Sequence, residues 1–201
     1  MNDKPCDDKR RRILDATHKL IVRNGLHGTS MSMIVKASGV PMGTIYRYFK
    51  DKETLINELH YESVQQVAHY ICKDLDNNLP LRQQLEILIN NIIDCNEAYP
   101  DRFLIKAILD MVPNKPADDI EFLDKTFLPV ITFGLQGLEQ GIFKPLPVDV
   151  LLSLGLGPLE WYFHIRKGNL QGLTPEQRTL FVQACWDALV LNPHSSEGQS
   201  S

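Results

Sequence analysis

The sequence predicts an all-α protein in two parts, a small N-terminal domain and a larger helical body. Three observations carry that reading. Apolar residues recur at helical spacing through nearly the whole chain, with no convincing series of alternating strands and hairpin turns. Proline and glycine stand where helices need to start or stop. Charge is split unevenly: residues 1–52 hold 11 Lys or Arg against 5 Asp or Glu, a balance of +6, whereas residues 53–201 hold 10 against 20, a balance of −10.

The first helix is expected from about Lys9 to Asn24, with Ile13, Leu14, Thr17, Leu20 and Ile21 on one face and Gly25 at its C-terminal cap. Asp7 and Asp8 lie near its positive end. Ser30 can cap a short second helix, Met31 to Ser38, whose apolar face is Met33, Ile34 and Ala37. Gly39 then tolerates the positive φ that ends it. Pro41 suits the first turn of a third helix, with Ile45, Tyr46 and Phe49 on its inward face. Asp51 can cap a long fourth helix running toward Asp76 and ending at Asn77, Asn78 and Pro80, which would link head to body.

Further helices are expected over Leu81 to Ala98, Asp101 to Val112, Ile120 to Gln140, Val148 to Lys167 and Pro175 to Leu191. Thr174, Pro175, Glu176 and Gln177 form a capping box that opens the last one. Pro129 is expected to kink its helix, and Gly155, Gly157 and Pro158 to loosen or break the next, each a candidate pocket wall. The polar tail Asn192 to Ser201 has nothing to bury and is expected to be disordered. The domains are therefore drawn as 1–52, 53–191 and the tail 192–201.

With 43% hydrophobic and 23% charged residues, the 201-residue chain is neither fibrous nor wholly disordered, and it can bury a core without disulfide staples. No run of about 18 apolar residues is present, and Met1 to Arg12 is charged, so a cytoplasmic protein without a membrane partner is expected. Cys6, Cys72, Cys95 and Cys185 form no CxxC pair, which fits reduced thiols.

A basic head on an acidic body points to a polyanion partner at one end only. Helix, tight glycine turn and helix over residues 31–49 have the size and order of a helix-turn-helix, whose second helix enters the major groove. Pro41, Met42, Gly43 and Thr44 permit close backbone approach to DNA, and Arg47 can reach guanine or phosphate. Tyr46, Tyr48, Lys50 and Lys52 add donors suited to phosphate oxygens.

Thr29, Ile34, Ala37, Gly39, Val40, Gly43, Thr44, Tyr46, Tyr48, Phe49, Lys52, Glu53 and Leu55 together resemble the N-terminal domain of the tetracycline-repressor (TetR) family. The likeness covers about residues 9–56. Val35 and Ser38 stand where alanine is usual, and Pro41 and Met42 where serine and a polar residue are common. The resemblance implies base-facing or groove-lining positions for Ser32, Met42 and Gly43, and phosphate contacts for Thr44, Tyr46, Tyr48 and Lys52, with Arg47 a further candidate.

It also implies a body of about six helices around a ligand cavity, and a homodimer in which the last two helices form a four-helix bundle. Leu151, Leu154 and Leu159 on one helix and Phe181, Ala184, Cys185, Ala188 and Leu189 on the other form apolar stripes that either pair with a second copy or close the monomer core. The dimer candidates are Leu151, Leu154, Phe181, Ala184, Cys185 and Ala188. Tyr99, Phe103, Met111, Phe122, Phe133, Trp161 and Phe163 either line a cavity or pack as core, and Glu160 and His164 are either polar pocket groups or a solvated pair. Phe103, Met111, Phe122, Glu160, Trp161 and His164 are the effector candidates, for an apolar or amphipathic molecule.

Gly134, Gly137 and Gly141 lack the Lys-Ser/Thr of a phosphate loop and suit close helix contact, with Gly141 as a terminator. His69 and Cys72 have no evident third ligand, so no metal or cofactor is expected. No nucleophile elbow, HExxH or framed carboxylate pair offers a foothold for catalysis, and an enzyme is not expected. The function expected is a ligand-responsive repressor released from a palindromic operator. The alternative is a small-molecule-binding helical protein without specific operator recognition.

Overall fold

The computed structural model describes residues 5–110, 119–166 and 172–191. Ten helices are present among them: α1 Pro5–Asn24, α2 Met31–Ser38, α3 Met42–Tyr48, α4 Lys52–Ile71, α5 Leu81–Ala98, α6 Pro100–Asp110, α7 Asp119–Thr126, α8 Leu128–Glu139, α9 Val148–Arg166 and α10 Pro175–Leu189. The only β-type pairing described is an isolated antiparallel bridge between Phe143 and Val190. The chain divides into two compact units, residues 1–66 with 101–117, and residues 67–100 with 118–201.

The first unit takes in more chain than the charge boundary after Lys52. Ile13, Leu14 and Ile21 of α1, Ile34 of α2, Val40, and Ile45 and Phe49 at α3 form one buried cluster with Leu55, Ile56 and Leu59 of α4 and Ile105 and Leu109 of α6. The early turns of α4 and most of α6 thus complete the core of the head, whereas charge follows the solvent face and does not register which apolar faces meet. Arg10 braces the same arrangement: its guanidinium pairs with Glu58 and, at 3.0 Å, with Glu62, and lies over the Phe49 ring. His60, 4% exposed, bonds Asp110 Oδ1 at 2.8 Å, and Lys106 Nζ reaches Asp110 Oδ2 at 2.6 Å.

In the second unit the core is built from Leu85, Leu88, Ile89 and Ile92 of α5, Phe133 of α8, Phe143, Leu151 and Leu159 of α9, and Val182, Cys185 and Leu189 of α10. Gln84 is buried at 1% exposure, and its amide nitrogen donates to Leu79 O at 2.8 Å, Gln136 Oε1 at 3.2 Å and Asn77 O at 3.3 Å. Asn77 Nδ2 returns bonds to Gln84 Oε1 and Pro129 O. Such a satisfied amide network fixes the loop before α5 against α8, since a buried amide left unpaired would be costly.

Most helix boundaries follow the sequence signals. Ser30 Oγ accepts from Met33 N, Gly25, Gly39 and Gly141 take positive φ, Asp51 Oδ1 accepts from Thr54 N at 2.7 Å, and the Thr174–Gln177 box closes at both bonds. The Thr54 bonds hold the Asp51 carboxyl below its ordinary range.

Three expectations change. α4 ends at Ile71, where a turn containing Asp74 at φ 58° follows. Pro129 does not kink one long helix over 120–140; it sits in the first turn of α8, after the break at Phe127. Its missing N–H is no loss there. α9 remains helical through Pro158. Gly155 is kept for another reason, because an added Cβ would stand 3.0 Å from the Leu189 side chain. Gly137 likewise leaves room for the Phe143 ring, 2.0 Å from where a Cβ would be. The tail 192–201 and Cys6's side chain lie outside the described residues.

Asp110 supplies a pH test. Burial raises its pKa, but the His60 hydrogen bond and Lys106 outweigh that and hold the carboxyl at about 2, against an ordinary 3.8. A depressed folded-state pKa gives stability that is present above pH about 4 and lost as pH falls toward 2. With its side chain 33% exposed, solvent screening reduces the contribution to about 1–2 kcal/mol. Asp110→Asn is expected to lower stability at pH 7 and to flatten the acid limb of the curve, measured by urea unfolding from pH 7 down to 2.

Candidate nucleic-acid interface

α3 has only seven residues, too few for a stable isolated helix, so its place depends on what it buries. Ile45 is fully buried and Phe49, just past its end, is 1% exposed. Helical geometry then turns the opposite face outward. Gly43, Tyr46 and Arg47 are exposed, as is Lys50 in the following loop, with Tyr46 at 49%. Tyr46, placed on the inward face by the sequence pattern, is therefore an outward residue.

Ser32 is exposed on α2, and its hydroxyl lies 2.9 Å from that of Ser30. Met42 and Thr44 are half-buried at the start of α3. Tyr48 is half-buried and packs against the core cluster.

Lys52 stands apart from the expected set. Its ammonium donates to Thr29 O at 2.6 Å and Leu26 O at 3.3 Å, closing the loop between α1 and α2. Two of its three donors are thus turned to backbone, which sequence could not show because the acceptors are carbonyls. Ser32, Gly43, Tyr46 and Arg47 offer an outward hydroxyl, a bare backbone, a phenol and a guanidinium within one short segment. This set can approach a base edge closely and donate to phosphate oxygens.

Gly43 is the most informative member. It has no positive φ, and a Cβ added there would meet nothing within 4 Å. Nothing in the fold requires glycine at this second position of α3, where alanine is the better helix former. The open space beside Gly43 can admit close approach from outside the chain.

Comparison with known proteins concerns the family. Residues 13–59 match the model of bacterial regulatory proteins of the tetR family, and residues 80–190 match that of the tetracyclin repressor-like C-terminal domain. The chain belongs to the TetR family. A fatty acid metabolism regulator protein of Bacillus subtilis is 34% identical over 79 residues, 39% of this chain and 41% of that one. The chain thus spans less than half the length of that relative. A TetR-family structure from Vibrio parahaemolyticus is 29% identical at TM-score 0.79, covering 92% of this chain and 99% of that one. FadR from Bacillus subtilis in complex with stearoyl-CoA shares the fold at TM-score 0.67 and 20% identity, over 90% and 97% of the two chains. The family model is that of bacterial regulatory proteins, and the Vibrio parahaemolyticus structure is described as a putative transcriptional regulator.

The body's candidates divide. Leu151 is fully buried and Cys185 is 3% exposed, so both close the core of the second unit and neither is available to a second copy. Burial pushes the Cys185 thiol up to about 11. Leu154, at 41%, and Ala184 are exposed, while Phe181 and Ala188 are half-buried. The outward apolar residues of α9 are Val150, Leu154, Trp161 and Ile165, with half-buried Gly157 between them; Trp161 is 66% and Ile165 60% exposed, and Leu180 of α10 is 69% exposed. Sequence reading missed Val150, Ile165 and Leu180, although the first two share the spacing of Leu154 and Trp161.

Among the effector candidates Glu160 and Trp161 are exposed and Phe122 is half-buried. Met111 and the side chains of Phe103 and His164 lie outside the described residues. No helix among the described residues is long and apolar enough to cross a membrane. His69 is exposed and Cys72 half-buried, and no group of three metal-binding side chains occurs among the described residues.

Gly43→Ala is expected to stabilise the protein by about 0.5–1 kcal/mol in urea unfolding and yet to weaken specific DNA binding at least tenfold. A gain in stability with unchanged DNA affinity would remove Gly43 from the interface.

Proposed function

We propose that the protein is a homodimeric repressor that holds a pseudo-palindromic operator with two copies of α3 and is released by a small amphipathic effector. The open face at Gly43, flanked by Ser32, Tyr46 and Arg47, carries the reading. Gly43 and Ser32 face base edges, Tyr46, Thr44 and Arg47 bind phosphate, and Met42 borders the groove. Lys52 and Tyr48 act by holding the loop and the core behind α3.

A dimer follows from the stripe on α9. Val150, Leu154, Trp161 and Ile165 recur on one face, and Gly157, whose added Cβ would meet nothing within 4 Å, lets a second helix come close. Leu180 and Ala184 extend the surface on α10. Such a dimer presents two α3 helices to successive major grooves, about 34 Å or a multiple apart.

Release works by linkage: an effector that binds better to a conformer with wrongly spaced heads must lower DNA affinity by the same factor. α4, whose residues are divided between the two compact units, is the element through which such a change passes. The fatty acid metabolism regulator among the relatives, and the stearoyl-CoA held by FadR, make long-chain acyl-CoA the first effector to test. The function is exercised in the cytoplasm.

Two experiments check the reading. Fluorescence anisotropy with DNA flanking the protein's own gene is expected to show a preference of about 10³ or more over a scrambled duplex, lost on adding stearoyl-CoA. Weak, equal binding to both duplexes would leave only electrostatic attraction. The double variant Leu154→Glu, Leu180→Glu is expected to sediment as a folded monomer and to lose operator affinity, while a dimer that survives both charges would place the interface elsewhere.

A further inference from the structure

Three consecutive arginines on α1 have three different partners. Arg10 pairs with Glu58 and Glu62, and Arg11 pairs with Asp15 one turn on. Arg12 is exposed and meets no carboxylate among the described residues. Its Nη2 donates to Ser38 O at 2.7 Å.

Ser38 is the last residue of α2, and the closing carbonyls of a helix have no intrahelical partner. A cation placed there satisfies one of them and lies against the negative end of the helix dipole. The next residue, Gly39, has φ 65° and donates its N–H to Val35 O at 3.0 Å. Glycine makes this turn, and Arg12 Nη2 lies 2.9 Å from where a Cβ on Gly39 would stand, so the guanidinium sits directly over the turn. Ser38 Oγ accepts from Val40 N at 3.2 Å, and Val40 is 2% exposed in the head core. The turn between α2 and α3 is thereby tied to α1 through one side chain.

We propose that Arg12 is a positioning residue for DNA recognition: by gripping the Ser38 carbonyl from α1 it sets the angle at which α3 leaves the turn, and it is not itself a phosphate ligand. The proposal rests on the reading of α3 as the helix that enters the major groove.

The test compares wild type, Arg12→Ala and Arg12→Lys, in anisotropy with the flanking duplex over a salt series and in amide hydrogen exchange without DNA. Arg12→Ala is expected to weaken specific binding about tenfold with the slope of log K against log salt unchanged. Its Gly39 and Val40 amides are expected to exchange faster, and Arg12→Lys, which keeps a cationic donor, to recover most of both. A slope reduced by about one, with exchange rates unchanged, would make Arg12 a phosphate ligand and overturn the proposal. So would wild-type affinity and exchange in Arg12→Ala. Should the wild-type protein show no preference for the flanking duplex, the reading of α3 fails by itself. The exchange rates then decide the grip on the turn alone, with faster exchange upholding it and unchanged exchange overturning it.

Discussion

Burial of Ile45 and Phe49 is the constraint on which the head depends. α3 is two turns long and has no side-chain cap at its start, so little besides this apolar pair keeps it helical. Once those two side chains are inside, the pitch of the helix leaves Gly43, Tyr46 and Arg47 no choice but solvent. The residues that hold the fold and the residues left open to solvent are thus alternate faces of one short segment.

The cations of the head are divided by the same logic. Arg10 and Lys52 spend their charge on the protein itself, one against two glutamates and the Phe49 ring, the other on two loop carbonyls. Arg47 and Lys50 remain exposed. Net charge alone therefore overstates how many positive groups the head can offer a polyanion, since buried or part-buried cations have carboxylates or backbone oxygens at hand.

The second unit is organised around polar as well as apolar contacts. The amide network of half-buried Asn77 and Gln136 with buried Gln84 is satisfied at the edge of the core, and Gly137 and Gly155 let Phe143 and Leu189 approach backbone closely. The side of α9 that holds Gly155, Leu151 and Leu159 is buried, and Val150, Leu154, Trp161 and Ile165 lie exposed. A helix that is apolar on both sides has one side to spare for a partner.

The sequence by itself determined the helices and most of their ends. Caps such as Ser30, Asp51 and Thr174 and terminators such as Gly25, Gly39 and Gly141 act on neighbours within four residues, so their signals are local and legible. It also determined the helix-turn-helix and most of its outward residues, because turn spacing and helical period are properties of a short segment. Only the tertiary structure decided that α6 joins the head, that Tyr46, which the sequence offered both as packing and as contact, faces out, and that Leu151 and Cys185 close a core while Leu154 does not. It alone decided that Lys52 and Arg12 end on carbonyls 23 and 26 residues away. A periodic pattern says that a face is apolar and a side chain charged, but which neighbour each meets depends on how distant helices pack, and backbone acceptors carry no mark in the sequence at all.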